Sequence, residues 1–304
     1  MTVDVSVIVV AYEARDLLRR CLEALDADAD GAATSRELIV VDNASSDGTA
    51  RWLRAERPDV KLVALDRNLG FGAGNNRGLA EASGRFVFLL NSDAFVDAGC
   101  LDELVRFCQA RPRCGAVGPR LRWEDGRLQR SCRSFPTVYR LATEYLFLRK
   151  LAPRSTMLNA FYCGGFEHDL PRRVDWLTGA AVLLRREALD AAGGGFDEAF
   201  FLYSEEVDLL RRVADAGWET WFDPSAGATH VWGGSTRREP GPTFREQLRS
   251  HVRYLDKHEG RAEATRGRAV LLAGLRLRAL RSAAFRGHAR WLAERDVPAL
   301  LDGR

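Results

Sequence analysis

Over the first 111 residues, apolar positions switch repeatedly between a strand-like and a helix-like pattern. Val5-Ser6-Val7-Ile8-Val9-Val10 is a β-branched run ending in Ala11-Tyr12-Glu13, after which Leu17, Leu18, Cys21, Leu22 and Leu25 recur at helical spacing. Glu37-Leu38-Ile39-Val40-Val41 forms a second strand, closed by a polar cluster at 42–49 and followed by a helix bearing Trp52 and Leu53. A third strand at 61–65 leads into the glycine-rich stretch at 68–76 and a helix reaching about Ser83. The fourth, Phe86-Val87-Phe88-Leu89-Leu90, is apolar without a break. It is too short for a helix and far too short to cross a membrane, so it reads as a strand buried on both faces and central in a parallel sheet. This alternation predicts a doubly wound α/β domain.

Each strand stops at polar residues, and in open α/β sheets ligands bind just beyond the carboxyl ends of strands. Asn91-Ser92-Asp93 therefore places a carboxylate where a metal or phosphate would be handled, although the same residues also suit a turn capping a helix near Asp97. Glycines 70, 72, 74 and 78 miss the dinucleotide fingerprint because Arg77 holds the last required position. They also follow the third strand and not the first, and no P-loop occurs, so an NAD site is not expected. The loop can offer backbone N–H groups to a phosphate or serve only as a tight connection.

Composition adds limits. Hydrophobic content of 46% and charged content of 29% describe an ordinary globular chain, and a net charge of +3 gives no reason to expect nucleic acid. The charge is uneven: residues 244–304 carry 14 Lys/Arg against 7 Asp/Glu, a net of +7, which leaves −4 for the rest. Six scattered cysteines without metal-type pairing read as small buried hydrophobes in a reducing compartment. With no secretory signal and no membrane-length apolar run, a cytoplasmic location is expected.

These strand ends resemble those of family 2 glycosyltransferases of the GT-A fold. Val7-Ile8-Val9-Val10-Ala11-Tyr12 looks like that family's first strand, and Val40-Val41-Asp42-Asn43-Ala44-Ser45-Ser46-Asp47-Gly48-Thr49 like its second. Asn68-Leu69-Gly70-Phe71-Gly72-Ala73-Gly74-Asn75-Asn76 is similar to a segment of the rhamnosyltransferase and galactofuranosyltransferase branch, and Leu90-Asn91-Ser92-Asp93 falls at the metal-binding D-x-D. The resemblance runs to about Gly260. It implies a nucleotide-sugar donor bordered by Ala11, Tyr12, Glu13, Asp42, Arg67, Gly72, Asn76, Asn91, Ser92 and Asp93. For Asp42 an Asx-turn holding its own loop is the structural alternative, and both readings hold together. The first Asp of D-x-D is here Asn91, so Asp93 alone is a thin set for a divalent cation, Mn²⁺ or Mg²⁺.

The second half supplies the rest by resemblance. Trp176, Thr178, Gly179 and Ala180 would flank the donor sugar and acceptor, within a strand that a glycine interrupts. His230, in Ala228-Thr229-His230-Val231-Trp232, would join Asp93 on the metal; a structural histidine is the plainer reading. The acidic motif at Glu205-Glu206 would provide the base for an inverting transfer, Glu206 first and Glu205 second, with Asp175 as a reserve; a helix start rich in acids is the alternative. Asp208 with Arg211 and Arg212 reads as helix-surface pairing. An Asp-Gly hairpin is expected at 123–128, and Gly164-Gly165 could hinge a flap.

The resulting expectation is a GT-A-like catalytic domain over 1–240, split into a nucleotide-binding half (1–111) and an acceptor-side half (112–240), with a helical extension over 241–304. Phe244, Leu248, Val252 and Leu255 share one helix face expected to dock on that domain, whereas the helix from about Arg261 shows no clean apolar stripe. Its basic character fits a peripheral contact at the inner face of a membrane, a solvated helix, or a subunit contact such as a homodimer. The enzyme would be a metal-dependent inverting glycosyltransferase moving rhamnose or another deoxyhexose onto a glycan, lipid-linked or small-molecule hydroxyl. Two rivals belong to other classes: a sugar-nucleotide nucleotidyltransferase, whose glycine-rich basic loop after the first strand is absent, and a non-catalytic sugar-nucleotide-binding partner.

Overall fold

A computed structural model describes residues 3–231, 242–280 and 283–302. Trp232 and the expected domain boundary at 240 lie outside the described residues. The fold divides into two compact units: residues 1–132, 168–201 and 206–237 form the first, and 133–167, 202–205 and 238–304 the second.

The first unit opens as the apolar pattern predicts. Strands β1 (Val5–Ala11), β2 (Arg36–Asp42), β3 (Lys61–Ala64) and β4 (Phe86–Asn91) alternate with helices α1 (Arg15–Ala29), α2 (Thr49–Glu56) and α3 (Phe71–Leu79). β1 pairs in parallel with β2 and β4, and β2 with β3. Residues Phe86 to Leu90 are all buried, as a strand covered on both faces must be. Next come β5 (Ala94–Val96), α4 (Cys100–Gln109), β6 (Cys114–Arg122), β7 (Leu128–Gln129) and β8 (Cys132–Arg133). The helix after the Asn91-Ser92-Asp93 turn begins at Cys100, because β5 intervenes.

After helix α5 (Val138–Tyr145) the chain returns as β9 (Arg172–Val174), β10 (Trp176–Leu177) and β11 (Ala181–Arg185), then α6 (Arg186–Ala191), α7 (Glu205–Asp215) and the long β12 (Glu219–His230). The main sheet runs β3-β2-β1-β4-β11-β6-β12-β5. Strand β11 lies antiparallel between β4 and β6, so the sheet is mixed but mostly parallel, with β4 near its middle. The Asp-Gly hairpin forms: Trp123 N–H donates to Arg127 C=O at 2.9 Å, and Gly126 takes the left-handed φ of 81° that the turn needs.

Glycines fix how α3 lies on the sheet. A Cβ on Gly78 would stand 2.5 Å from Ile8 Cγ2, and one on Gly74 would stand 3.0 Å from Val10 Cγ1. Gly70, at φ 86°, lets Phe201 C=O approach the turn, and Phe71 N–H donates to that carbonyl at 3.2 Å. Backbone contact of this closeness excludes a side chain.

The second unit is helical: α5, then α8 (Pro242–Glu259), α9 (Arg261–Ala279), α10 (Ala283–Ala293) and α11 (Val297–Leu301). Thr137 caps α5, its hydroxyl accepting from Arg140 N–H at 3.2 Å. Leu248, Val252 and Leu255 of α8 are fully buried. Leu255 fills the space left open at Gly267 of α9, and Gly274 lies against Tyr145. Gly164-Gly165 sits tight, Gly164 N–H donating to Asn159 C=O at 2.9 Å with no room for a Cβ beside Ser155 C=O. No helix among the described residues is long and apolar enough to cross a membrane. All six cysteines are buried thiols.

Candidate active site

Three strand ends and one ladder build the candidate site in the first unit. The antiparallel pairing of β5 with β12 sets His230 opposite Ala94, and Val231 N–H donates to Asp93 C=O at 3.0 Å. This places His230 Nε2 3.2 Å from Asp93 Oδ1 and 3.4 Å from Asn91 Nδ2. His230 is 3% exposed. Its Nδ1 lies 2.8 Å from Gln129 Oε1. An amide oxygen only accepts, so this contact puts the imidazole proton on Nδ1 and turns the Nε2 lone pair toward Asp93.

In the neutral ring Nε2 and Asp93 Oδ1 are both acceptors, with only Asn91 Nδ2, at 3.4 Å, to donate to Nε2, an arrangement a cation between them would relieve. Asn91 Oδ1 offers a third donor atom: it is buried and has no hydrogen-bond partner. One carboxylate, one imidazole and one amide oxygen form a mixed set that fits a divalent ion of borderline character. Among the described residues there is no group of three or more His, Cys, Asp or Glu arranged to hold a metal, so the set depends on the asparagine. Gln129 was not visible from sequence, where only the Asp-Gly turn preceding it carried a signal.

The nucleotide-side residues occupy the loops after β1 and β2. Ala11 and Asp42 are buried, Tyr12 is exposed, and Ser92 and Asp93 are partly buried beside β4. Asp42 Oδ1 accepts from Ser45 N–H at 3.0 Å, the Asx-type turn expected of it. Glu13, at a left-handed φ of 50°, accepts from Ser46 N–H at 2.7 Å, and Ala44 follows at φ 66°. Such conformations in non-glycine residues hold only when the surroundings over-determine them, and they concentrate at ligand sites. Arg67 is exposed and Gly72 buried. Asn76 is engaged elsewhere, accepting from Phe196 N–H at 2.8 Å and donating to Phe196 C=O at 2.9 Å. Asn43 plays the comparable part between loops, donating to Asn68 Oδ1 at 3.0 Å and accepting from Leu69 N–H at 2.9 Å.

Asp47 anchors the same loop. Burial raises its pKa, but the Thr49 hydroxyl and the Arg15 and Thr49 N–H groups outweigh that and hold its carboxyl below the usual range.

The break between β10 and β11 meets the strand ends directly. Thr178 N–H donates to Ser131 C=O at 3.0 Å, and Ala180 C=O accepts from Asn91 N–H at 2.9 Å. Trp176 and Ala180 are buried. At Gly179 an added Cβ would stand 3.4 Å from Glu206 Cβ and 3.5 Å from its Cγ, ordinary contact distances that place this glycine directly beside the Glu206 side chain. Tyr203 and Ser204, at φ 66° and 65°, set the chain into α7 just before the acidic pair. Glu205 is 4% exposed and Glu206 partly exposed. Asp208 is buried, accepting from Arg212 Nε at 2.9 Å.

A mostly parallel sheet with polar strand ends and an acidic helix start against the broken strand defines a GT-A glycosyltransferase. The profile described as Glycosyl transferase family 2 matches residues 6–176. The N-acetylglucosaminyl-diphospho-decaprenol L-rhamnosyltransferase of Mycobacterium tuberculosis is 33% identical over 274 residues, spanning 86% of this chain and 87% of that protein. Rhamnosyltransferase WbbL of Escherichia coli K12 is 24% identical over 270 residues, 83% of this chain and 92% of that one. The solved mannosyltransferase PcManGT from Pyrobaculum calidifontis, in complex with GDP-Man and Mn²⁺, gives a TM-score of 0.56 at 21% identity, covering 98% of this chain and 84% of its own. The chain belongs to glycosyl transferase family 2, as a rhamnosyltransferase-like member.

Proposed function

We propose that this enzyme is a metal-dependent, inverting glycosyltransferase that moves a deoxyhexose, best read as rhamnose, from a nucleoside-diphosphate sugar to an acceptor hydroxyl. The observation that supports this reading is the hydrogen bond from Asn91 N–H to Ala180 C=O, with the neighbouring Gly179 beside the Glu206 side chain and the Asp93–His230 pair just after Asn91. The likeness to rhamnosyltransferases supports the sugar, and the name of the mycobacterial relative supports a lipid-linked diphosphate sugar as acceptor. The acceptor would be taken on the side of residues 112–240.

Asp93, His230 and Asn91 would hold a divalent cation, which when bound supplies positive charge to a leaving diphosphate. The chain's own residues do the rest. The loops at Tyr12–Glu13 and Asp42–Ala44 border the nucleotide, and Gly179 lies beside Glu206. As the acceptor oxygen bonds to the anomeric carbon, the bond to phosphate breaks and its electron pair leaves with the nucleotide. The hydroxyl proton passes to a Glu206 carboxylate oxygen, and attack opposite the leaving group inverts the centre.

Glu206→Gln tests the assignment. The isosteric amide should lower kcat by about a hundred- to ten-thousand-fold with donor binding nearly unchanged. Glu205→Gln is the control, because helix neighbours point about 100° apart and cannot both face one acceptor. A small effect at 206 with a large one at 205 would move the base.

A further inference from the structure

The second unit carries an exposed surface that is apolar and cationic together and that the transfer reaction does not use. Leu151 is 78% exposed and Met157 64%, with Tyr139 half exposed beside them and donating from its hydroxyl to Met157 C=O at 3.4 Å. Lys150 and Arg154 are exposed in the same segment. The surface continues onto the C-terminal turns of α9. Arg278 lies 4.6 Å from the Phe147 ring centroid, Lys150 4.8 Å from the same ring, and Arg278 donates to Tyr145 C=O at 3.1 Å. Arg276 and Leu277 stand exposed next to it.

Charge in this region has one sign. Residues 145–160 contain Arg149, Lys150 and Arg154 and no acid, and residues 269–280 contain Arg276 and Arg278 and no acid. The preceding Glu144 is paired with Arg149. Large aliphatic side chains with nothing over them, interleaved with unopposed cations, meet the two requirements of a bilayer interface: apolar area for the acyl boundary and positive charge for headgroup phosphates. A second copy of the same face would bring cation against cation.

We propose that this surface docks the enzyme on an anionic phospholipid bilayer, with Leu151, Met157 and Leu277 at the acyl boundary and Lys150, Arg154 and Arg276 at the phosphates. It extends the lipid-linked acceptor reading. It is tested without donor or acceptor, so either can fail alone.

The test is flotation of the full chain with vesicles of phosphatidylcholine alone or mixed with phosphatidylglycerol, at low and high salt. The full chain should bind only the anionic vesicles and lose that binding in high salt. Lys150→Glu/Arg154→Glu should weaken it about tenfold or more, as should Leu151→Asp/Met157→Asp, with unchanged melting temperature. Leu170→Asp, at an exposed leucine of the first unit, should bind as the parent does. Absence of vesicle binding, or equal binding by parent and variants, overturns the proposal. A chain that is dimeric in solution and made monomeric by Leu151→Asp, without vesicle binding, overturns it in favour of self-association.

Discussion

His230 is held from both sides of its ring, and this makes it the most informative residue in the site. Gln129 fixes one nitrogen, so in the neutral ring the other presents its lone pair toward Asp93 and the amide N–H of Asn91. If these residues hold the cation, His230→Ala and Asp93→Ala each abolish metal-stimulated turnover with little change in melting temperature. Gln129→Leu frees the imidazole to rotate or change tautomer, and Mn²⁺ titration followed by electron spin resonance should show affinity weakened roughly ten- to a hundred-fold. Gln129→Glu, which keeps an acceptor at Nδ1, should retain it. Equal Mn²⁺ affinity in the parent and all four variants would remove this cluster from metal binding. Asp93 and His230 were legible in the sequence because each ends a recognisable strand. Gln129 was not: it reaches His230 from 101 positions away, and no local pattern encodes that contact.

At the scale of elements, the glycine-rich helix start has a packing cause independent of any ligand. Gly78 faces Ile8, a fully buried residue of a central strand that cannot yield. Gly78→Ala gains up to about 1 kcal/mol of helix propensity. The clash should outweigh this, costing about 1–3 kcal/mol. Urea unfolding should therefore show a net loss, and equal or higher stability would mean that α3 shifts to accept the methyl. The strands were readable because buried parallel strands are continuous apolar runs, and the mixed character entered with β11, whose direction depends on a return through the second unit. Helix α9 was the opposite case. Its buried positions include Gly267 and Gly274, which pack by admitting Leu255 and a backbone segment at Tyr145, so no hydrophobic stripe announces them.

At the scale of the whole molecule, acid should act first through the helical unit. His251 is buried with Nδ1 lacking a hydrogen-bond partner among the described residues, and burial lowers its pKa to about 4. Above the unfolded value near 6.5 both states are neutral; below it only the unfolded chain takes up a proton, until the folded pKa is reached. Stability thus falls between about pH 6.5 and 4, by up to about 3 kcal/mol. His251→Phe should flatten that slope in thermal melts followed across this range, and an unchanged slope would place the acid sensitivity elsewhere. The account as a whole rests on sugar transfer with inversion. Its most direct test is incubation of the full chain with dTDP-rhamnose, other nucleoside-diphosphate sugars, Mn²⁺ and a lipid-diphosphate-sugar acceptor analogue, with products read by NMR. The expected result is one nucleoside diphosphate released per glycoside formed, the new bond having the anomeric configuration opposite to the donor's. A product that keeps the donor's configuration, or formation of a nucleoside triphosphate and a sugar 1-phosphate when pyrophosphate is supplied, would contradict it.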